Sequence, residues 1–136
     1  MVLVFFCNST FAGDNDPLDV CNISDFEYQV GDVVQVKILG TYAMIDEGET
    51  DWKIIVVDVR DPLADQLNDV TDIEKVKPGV LKTMFEFLRD YKIPDGKPAN
   101  TFAYNSEAKD RAFALHVAEE THQEWVALIT KKIPNG

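Results

Sequence analysis

Positive charge is scarce in this chain. Thirteen lysines and arginines stand against 24 aspartates and glutamates, a formal net charge of −11. A nucleic-acid backbone or an anionic membrane needs a basic face, so the balance argues against both as partners. Phosphate chemistry stays open, because a divalent metal can carry a phosphorylated substrate into an acidic cleft. Cysteine is nearly absent. Cys7 and Cys21 provide neither a disulfide framework nor a zinc spacing, which favours a reduced, cytoplasmic compartment. No apolar run approaches the length needed to span a bilayer. No repeat, low-complexity tract or linker divides the 136 residues, which read as a single domain over 1–136. A chain of this length buries about two thirds of its unfolded surface, and 46% hydrophobic residues argue for a folded core.

The opening "MVLVFFCNSTFA", residues 1–12, has the apolar start and small residues of a leader. The apolar part is too short and no basic residue precedes it, so it reads as an atypical N-terminus with strand character rather than a targeting signal. Asn8-Ser9-Thr10 and Asn22-Ile23-Ser24 match a glycosylation triplet, a pattern that chance supplies often.

From Val33 to Val59 the period is two. "VVQVKIL" sets Val34, Val36 and Ile38 on one face, and "TYAMI" and "WKIIVVDV" extend the pattern with branched residues that suit a sheet. Gly48 in "DEGETD", 46–51, is free to take the positive φ of a hairpin turn. "RDPLADQLND" reads as a loop. Pro78 then opens a helix carrying Leu81, Met84, Phe85 and Leu88, and "IPDGKP", 93–98, ends it. A second helix is expected over about Lys109–Lys131, with Phe113, Val117, Thr121, Trp125 and Leu128 on its apolar face. Strands precede helices, so the class is α+β, mainly β, or a β barrel with helices packed outside.

Two acidic clusters interrupt this pattern. Asp14, Asp16 and Asp19 fall within "GDNDPLDV", and Asp46, Glu47, Glu49 and Asp51 flank the hairpin turn. Carboxylates that repel one another need a compensating cation in a folded site. Oxygen donors without nearby Cys or His select a hard one, Mg²⁺, Mn²⁺ or Ca²⁺. Asp51 and Lys53, two apart on a strand, point to one face. Solvated turn residues explain the same clusters equally well. An EF-hand loop is excluded, because Asp19 stands where glycine belongs and Asp25 where glutamate belongs. "PDGKP" lacks the glycine loop of a nucleotide-binding motif. A single Glu119-x-x-His122 is half of a di-iron pattern. His116 and His122 therefore read as helix-surface or partly buried residues, and Trp125 and the phenylalanines as core.

"GDNDPLDVC", "AMIDEGETDWK", "YKIPDGKP" and "THQEW" resemble the soluble inorganic pyrophosphatases, in wording closest to the animal and fungal type. The resemblance runs from Gly13 to about Ile129, and Asp-x-Asp-Pro-x-Asp is that family's signature. It implies a five-stranded OB-type barrel with C-terminal helices outside, and Mg²⁺-dependent hydrolysis of pyrophosphate to two phosphates. By the same resemblance Asp14, Asp19 and Asp51 hold a first metal, and Asp19 also reaches a second. Asp16 binds or deprotonates the attacking water, and Asp46 with Asp51 faces the metals that arrive with the substrate. Lys53, Tyr91 and Lys92 contact the phosphates. The substrate implied is the Mg complex of pyrophosphate.

The family also has a segment before its signature that supplies early strands, a glutamate, a lysine, an arginine and tyrosines. "MVLVFFCNSTFA" matches none of it. The chain thus looks like the C-terminal portion of a pyrophosphatase domain, with the barrel incomplete. Two functions are expected from this. One is pyrophosphate hydrolysis, and the other is a catalytically impaired form that serves as a Mg-binding or subunit-interaction module. An open sheet edge favours self-association or a homodimer.

Overall fold

The computed structural model describes residues 19–29 and 34–120, together with the backbone of 2–5. Five strands form one sheet in the order β1-β2-β4-β3-β5. They are β1 (Val2–Phe5), β2 (Asp19–Asn22), β3 (Val36–Asp46), β4 (Glu49–Asp58) and β5 (Thr101–Phe102). β1 lies antiparallel to β2, β2 runs parallel to β4, and β3 pairs antiparallel with both β4 and β5. The expected α+β class is met. Among the described residues β1 and β5 are the two edges of the sheet and are not joined to each other, so the barrel is not closed.

The hairpin reads as the sequence demanded. Asp46 pairs with Glu49, leaving a two-residue turn in which Glu47 and Gly48 take φ of 51° and 82°. Positive φ at both positions matches the twist of the strands on either side. Val36 and Ile38 share a face and Leu39 points to the opposite core; a bulge between Ile38 and Gly40 then shifts the alternation, so that Tyr42 joins Leu39 on that second face. Gly40 sits where the chain returns at Lys109, and a Cβ there would come within 2.5 Å of the Lys109 carbonyl oxygen. Only glycine allows that crossing, where Thr41 and Lys109 exchange backbone hydrogen bonds of 3.1 and 2.8 Å.

Both faces of the sheet are covered, which is why "IIVV", 54–57, is apolar without alternation. Ile55 and Val57, with Cys21, Leu39 and Tyr42, meet Leu67, Ile73, Met84 and Leu88 on one side. Ile54, Val56 and Val20 meet Val117 and Phe113 on the other. Fully burying each such aliphatic side chain contributes about 1.5–3 kcal/mol.

Helix α1 (Val70–Val76) occupies a stretch directly after the expected loop and has no counterpart in the sequence reading. Its apolar residues are too few for a period to register. The available signal was the cap. Asp69 accepts the Val70 N–H at 2.6 Å, and Asp72 Oδ2 accepts the Asp69 N–H at 3.0 Å. Helix α2 (Val80–Asp90) corrects the role of Pro78, which precedes the helix instead of lying in its first turn. Gly79, at φ 85°, is the N-cap, in the left-handed region that glycine enters at no steric cost. Gly96, at φ 79°, closes the short turn after α2 as expected. The second expected helix, α3, is described over 111–120 and carries Phe113 and Val117 into the core. Thr121, His122, Trp125 and Leu128 lie outside the described residues.

The end of β4 is fixed by a buried polar hub. Asp58 accepts the Tyr28 hydroxyl at 2.7 Å, the Arg60 Nη2–H at 2.7 Å and the Arg60 backbone N–H at 2.8 Å. Asn22 Nδ2 donates to Tyr28 Oη at 2.8 Å, and Ser24 Oγ accepts the Asp58 N–H at 3.0 Å. Asp58 is fully buried. The Arg60 hydrogen bond, with help from Tyr28, outweighs burial and holds the carboxyl well below the usual range. A depressed carboxyl contributes stability that is complete above its unfolded value, about 3.9, and is lost as pH falls through the folded one. Denaturant melts of the parent and Asp58→Asn should therefore differ most near neutrality, by roughly 1–3 kcal/mol, and begin to converge only as pH falls below about 4, toward the depressed folded value. A constant difference from pH 7 to pH 2 would contradict this.

Candidate functional site

The site stands where the core facing α1 and α2 gives way to charge. On β4, residues 53, 55 and 57 share one face, and Ile55 and Val57 are core there. Lys53 is the next step outward along that face, and Asp51 the one after. In the register β2 places Asp19 beside Lys53, with Cys21 beside Ile55, and β3 places Met44 opposite Asp51. Asp46, two beyond Met44, joins the same face. Three strands thus bring Asp19, Asp46, Asp51 and Lys53 together from positions far apart in sequence.

Lys53 is 4% exposed and donates to the Asp19 carboxylate, with Asp51 Oδ2 at 3.1 Å. Burial by itself pushes the Asp51 carboxyl up. Lys53 opposes that shift, and the Asp19 and Asp46 charges add to it. The Lys53 ammonium resists the cost of burial because both carboxylates hold it charged, so its pKa rises. Cys21 sits just inward of this group. Burial pushes its thiol up to about 12, which makes it an inert core residue.

A second ion pair lies at the turn end of the hairpin. Lys92 Nζ stands 3.3 Å from Asp46 Oδ1, and its ammonium lies 5.7 Å from the Tyr91 ring centroid. Tyr91 is the C-cap residue of α2. A cavity of about 430 Å³ opens between the hairpin turn and the segment after α2, lined by Asp46, Glu47, Lys92, Lys97, Asn100 and Thr101. Lys97 was not singled out from the sequence. The signal for it was Gly96, whose left-handed turn lets the Lys97 N–H reach back to the Lys92 carbonyl at 3.3 Å.

Of the residues expected to act, Asp19, Asp46, Asp51, Lys53, Tyr91 and Lys92 are placed, and Asp14 and Asp16 lie outside the described residues. Among the described residues no group of three His, Cys, Asp or Glu is arranged to hold a metal ion. Asp19 and Asp51 are two of the three ligands expected for the first metal, and they converge on a cation, the Lys53 ammonium. An all-oxygen pair that already gathers positive charge fits a hard divalent ion.

Two expectations need sorting. His116 is exposed, as read, and lies 3.0 Å from Glu120 one helical turn on. The phenylalanines were read as core, and Phe87 overturns that. It is 46% exposed and stacks on Tyr91, at the rim of the charged group. No described helix is long and apolar enough to cross a membrane.

Comparison with known proteins places these strands and helices in context. A family model described as inorganic pyrophosphatase matches residues 6–126. An inorganic pyrophosphatase of Bos taurus is 52% identical over 120 residues, covering 88% of this chain and 42% of that protein. One of Eremothecium gossypii is 57% identical over the same shares. The solved structure of an inorganic pyrophosphatase from Schistosoma japonicum superposes with a TM-score of 0.81 at 48% identity, covering 85% of this chain and 41% of that one. The chain therefore spans about two fifths of the length of the curated relatives it matches.

Proposed function

The chain belongs to the inorganic pyrophosphatase family, and from that premise we propose that its residues form one wall of a site that hydrolyses pyrophosphate with the aid of a divalent metal. The observation that carries this reading is the convergence of Asp19 and Asp51, from β2 and β4, on one buried cation position. Carboxylates that merely decorate turns are solvated and separate; these are gathered inside the sheet.

In this proposal Asp19 and Asp51, with Asp14, hold the metal, and Mg²⁺ is the ion we assign. Asp46 joins Asp51 toward the metal that accompanies the substrate. Bound there, a divalent ion would neutralise phosphoryl charge and lower the pKa of the attacking water. The Asp16 carboxylate would accept the proton of that water. Lys53 Nζ sits on the same face as the carboxylates, so charge developing on the phosphoryl oxygens meets a cation that burial has not discharged. Lys92, on the cavity between the hairpin turn and the segment after α2, and its neighbour Tyr91 contact the phosphates from the far side. Catalysis of this kind is chiefly positioning and charge neutralisation, with little covalent work for the protein. The substrate is pyrophosphate as its Mg complex, and a cytoplasmic setting belongs to the same proposal.

A Mg²⁺ titration checks the metal half of the reading. Calorimetric heat or amide shifts should report weak binding by this chain, and Asp19→Ala should remove most of it. Indistinguishable titrations of parent and variant would sink the assignment.

A further inference from the structure

We infer that Phe87 is a positioning residue for Tyr91 and Lys92, an inference that rests on the pyrophosphate reading. Helix α2 turns Met84 and Leu88 into the core, and Phe85 packs on Tyr42 and Phe102 with ring centroids 5.7 and 4.8 Å apart. Phe87 lies off that stripe. Its ring instead faces the Tyr91 ring, with centroids 5.7 Å apart and planes 19° from parallel. The spacing is i, i+4, and the Tyr91 N–H bonds the Phe87 carbonyl at 3.0 Å, so the helix itself sets the two rings against each other. A lone exposed phenylalanine is unremarkable on a surface. This one is the first member of a chain of contacts that runs from Phe87 to Tyr91, from Tyr91 to the Lys92 ammonium, and from Lys92 to Asp46 at the edge of the cavity.

Tyr91 is 39% exposed and belongs to neither core cluster of the described residues. Left alone, its ring samples several rotamers, and a phosphate ligand must order it on binding. Stacking on Phe87 restricts the ring beforehand, and the Lys92 ammonium against the ring is restricted with it. Phe87 thus lowers the ordering cost of two ligand-contacting side chains without touching the ligand.

The test uses the 136-residue chain in excess Mg²⁺ and methylenediphosphonate, a pyrophosphate analogue that is not hydrolysed. Calorimetry should show Phe87→Leu binding the analogue roughly 2–12-fold more weakly, the effect of ordering one side chain. Leucine keeps the helix and its bulk, so folding is retained, and matched thermal melts check this. Phe87→Trp, which restores a stacking ring, should bind as the parent does. In a Tyr91→Ala background, Phe87→Leu should cost nothing further, because its route to the ligand has been removed. Ring resonances of Tyr91 should lose their ring-current shift in Phe87→Leu and keep one in Phe87→Trp, whatever the ligand. If Tyr91→Ala weakens binding while Phe87→Leu does not, or if the two losses add, this inference fails and the pyrophosphate reading survives. If the parent does not bind the analogue, or Tyr91→Ala binds it equally well, the reading fails and takes the inference with it.

Discussion

Lys53→Met is expected to destabilise the metal-free chain by roughly 3 kcal/mol and, in a catalytically competent form, to lower turnover by about 10²–10³-fold. The two effects have one origin. Lys53 is the cation that Asp19 and Asp51 share inside the sheet. Methionine fills the same volume and leaves two carboxylates facing each other in a half-dry place. Removing one partner of a buried pair costs about 3–5 kcal/mol; the low end applies because the Asp51 side chain keeps 24% of its surface in water. Mg²⁺ should restore much of that loss, since it binds the folded carboxylates and supplies the missing charge. Turnover should not recover with it, because the ammonium that meets the phosphoryl oxygens is gone. Chemical melts with and without Mg²⁺ measure the first effect. Phosphate release by a form joined to a family-length N-terminal portion measures the second. Full activity of Lys53→Met at saturating Mg²⁺ would remove Lys53 from the phosphate site.

Asp16→Asn separates proton transfer from metal binding. The substitution keeps the size of the side chain and removes the anionic acceptor, and general-base assistance is worth about 10²–10⁴-fold. In the same joined form, phosphate release at saturating Mg²⁺ should fall by about that factor. Mg²⁺ affinity should change little, because Asp14, Asp19 and Asp51 are untouched. The comparison with Asp19→Ala is informative, since that variant should lose metal first and activity as a consequence. A loss under twofold for Asp16→Asn would show that another group accepts the proton.

Much of the architecture was legible because it is written in local chemistry. The two-residue period of Val36 and Ile38 and the branched run 54–57 mark strands, though β3 starts two residues after Val34, and Glu47-Gly48 marks the turn between them. Gly96 and its prolines mark the turn that follows α2, and the helix period carries Phe113 and Val117 into the core. Helix α1 was not legible, because seven residues hold too few apolar positions to show a period, and its evidence lay in an aspartate cap that also reads as a loop. Gly40 and the bulge before it were equally silent, since what requires them is a backbone crossing from Lys109, some seventy residues on.

The candidate site divides along the same line. The amino-acid sequence by itself determined which groups are present: carboxylates in two clusters, no soft ligands beside them, and lysines at 53 and 92 to oppose phosphate charge. Pairing one strand of the hairpin in parallel with β2 was a tertiary decision, and it alone sets Asp19 beside Lys53 across 34 positions of sequence. Burial of that pair at the end of an apolar face also came from the fold, because the layers that cover Ile55 and Val57 stop short of Asp51. So did the exposure of Phe87. A helix period assigns a ring to core or solvent by angle, and only the position of Tyr91, one turn on and next to the cavity-lining Lys92, gives a surface phenylalanine something to hold.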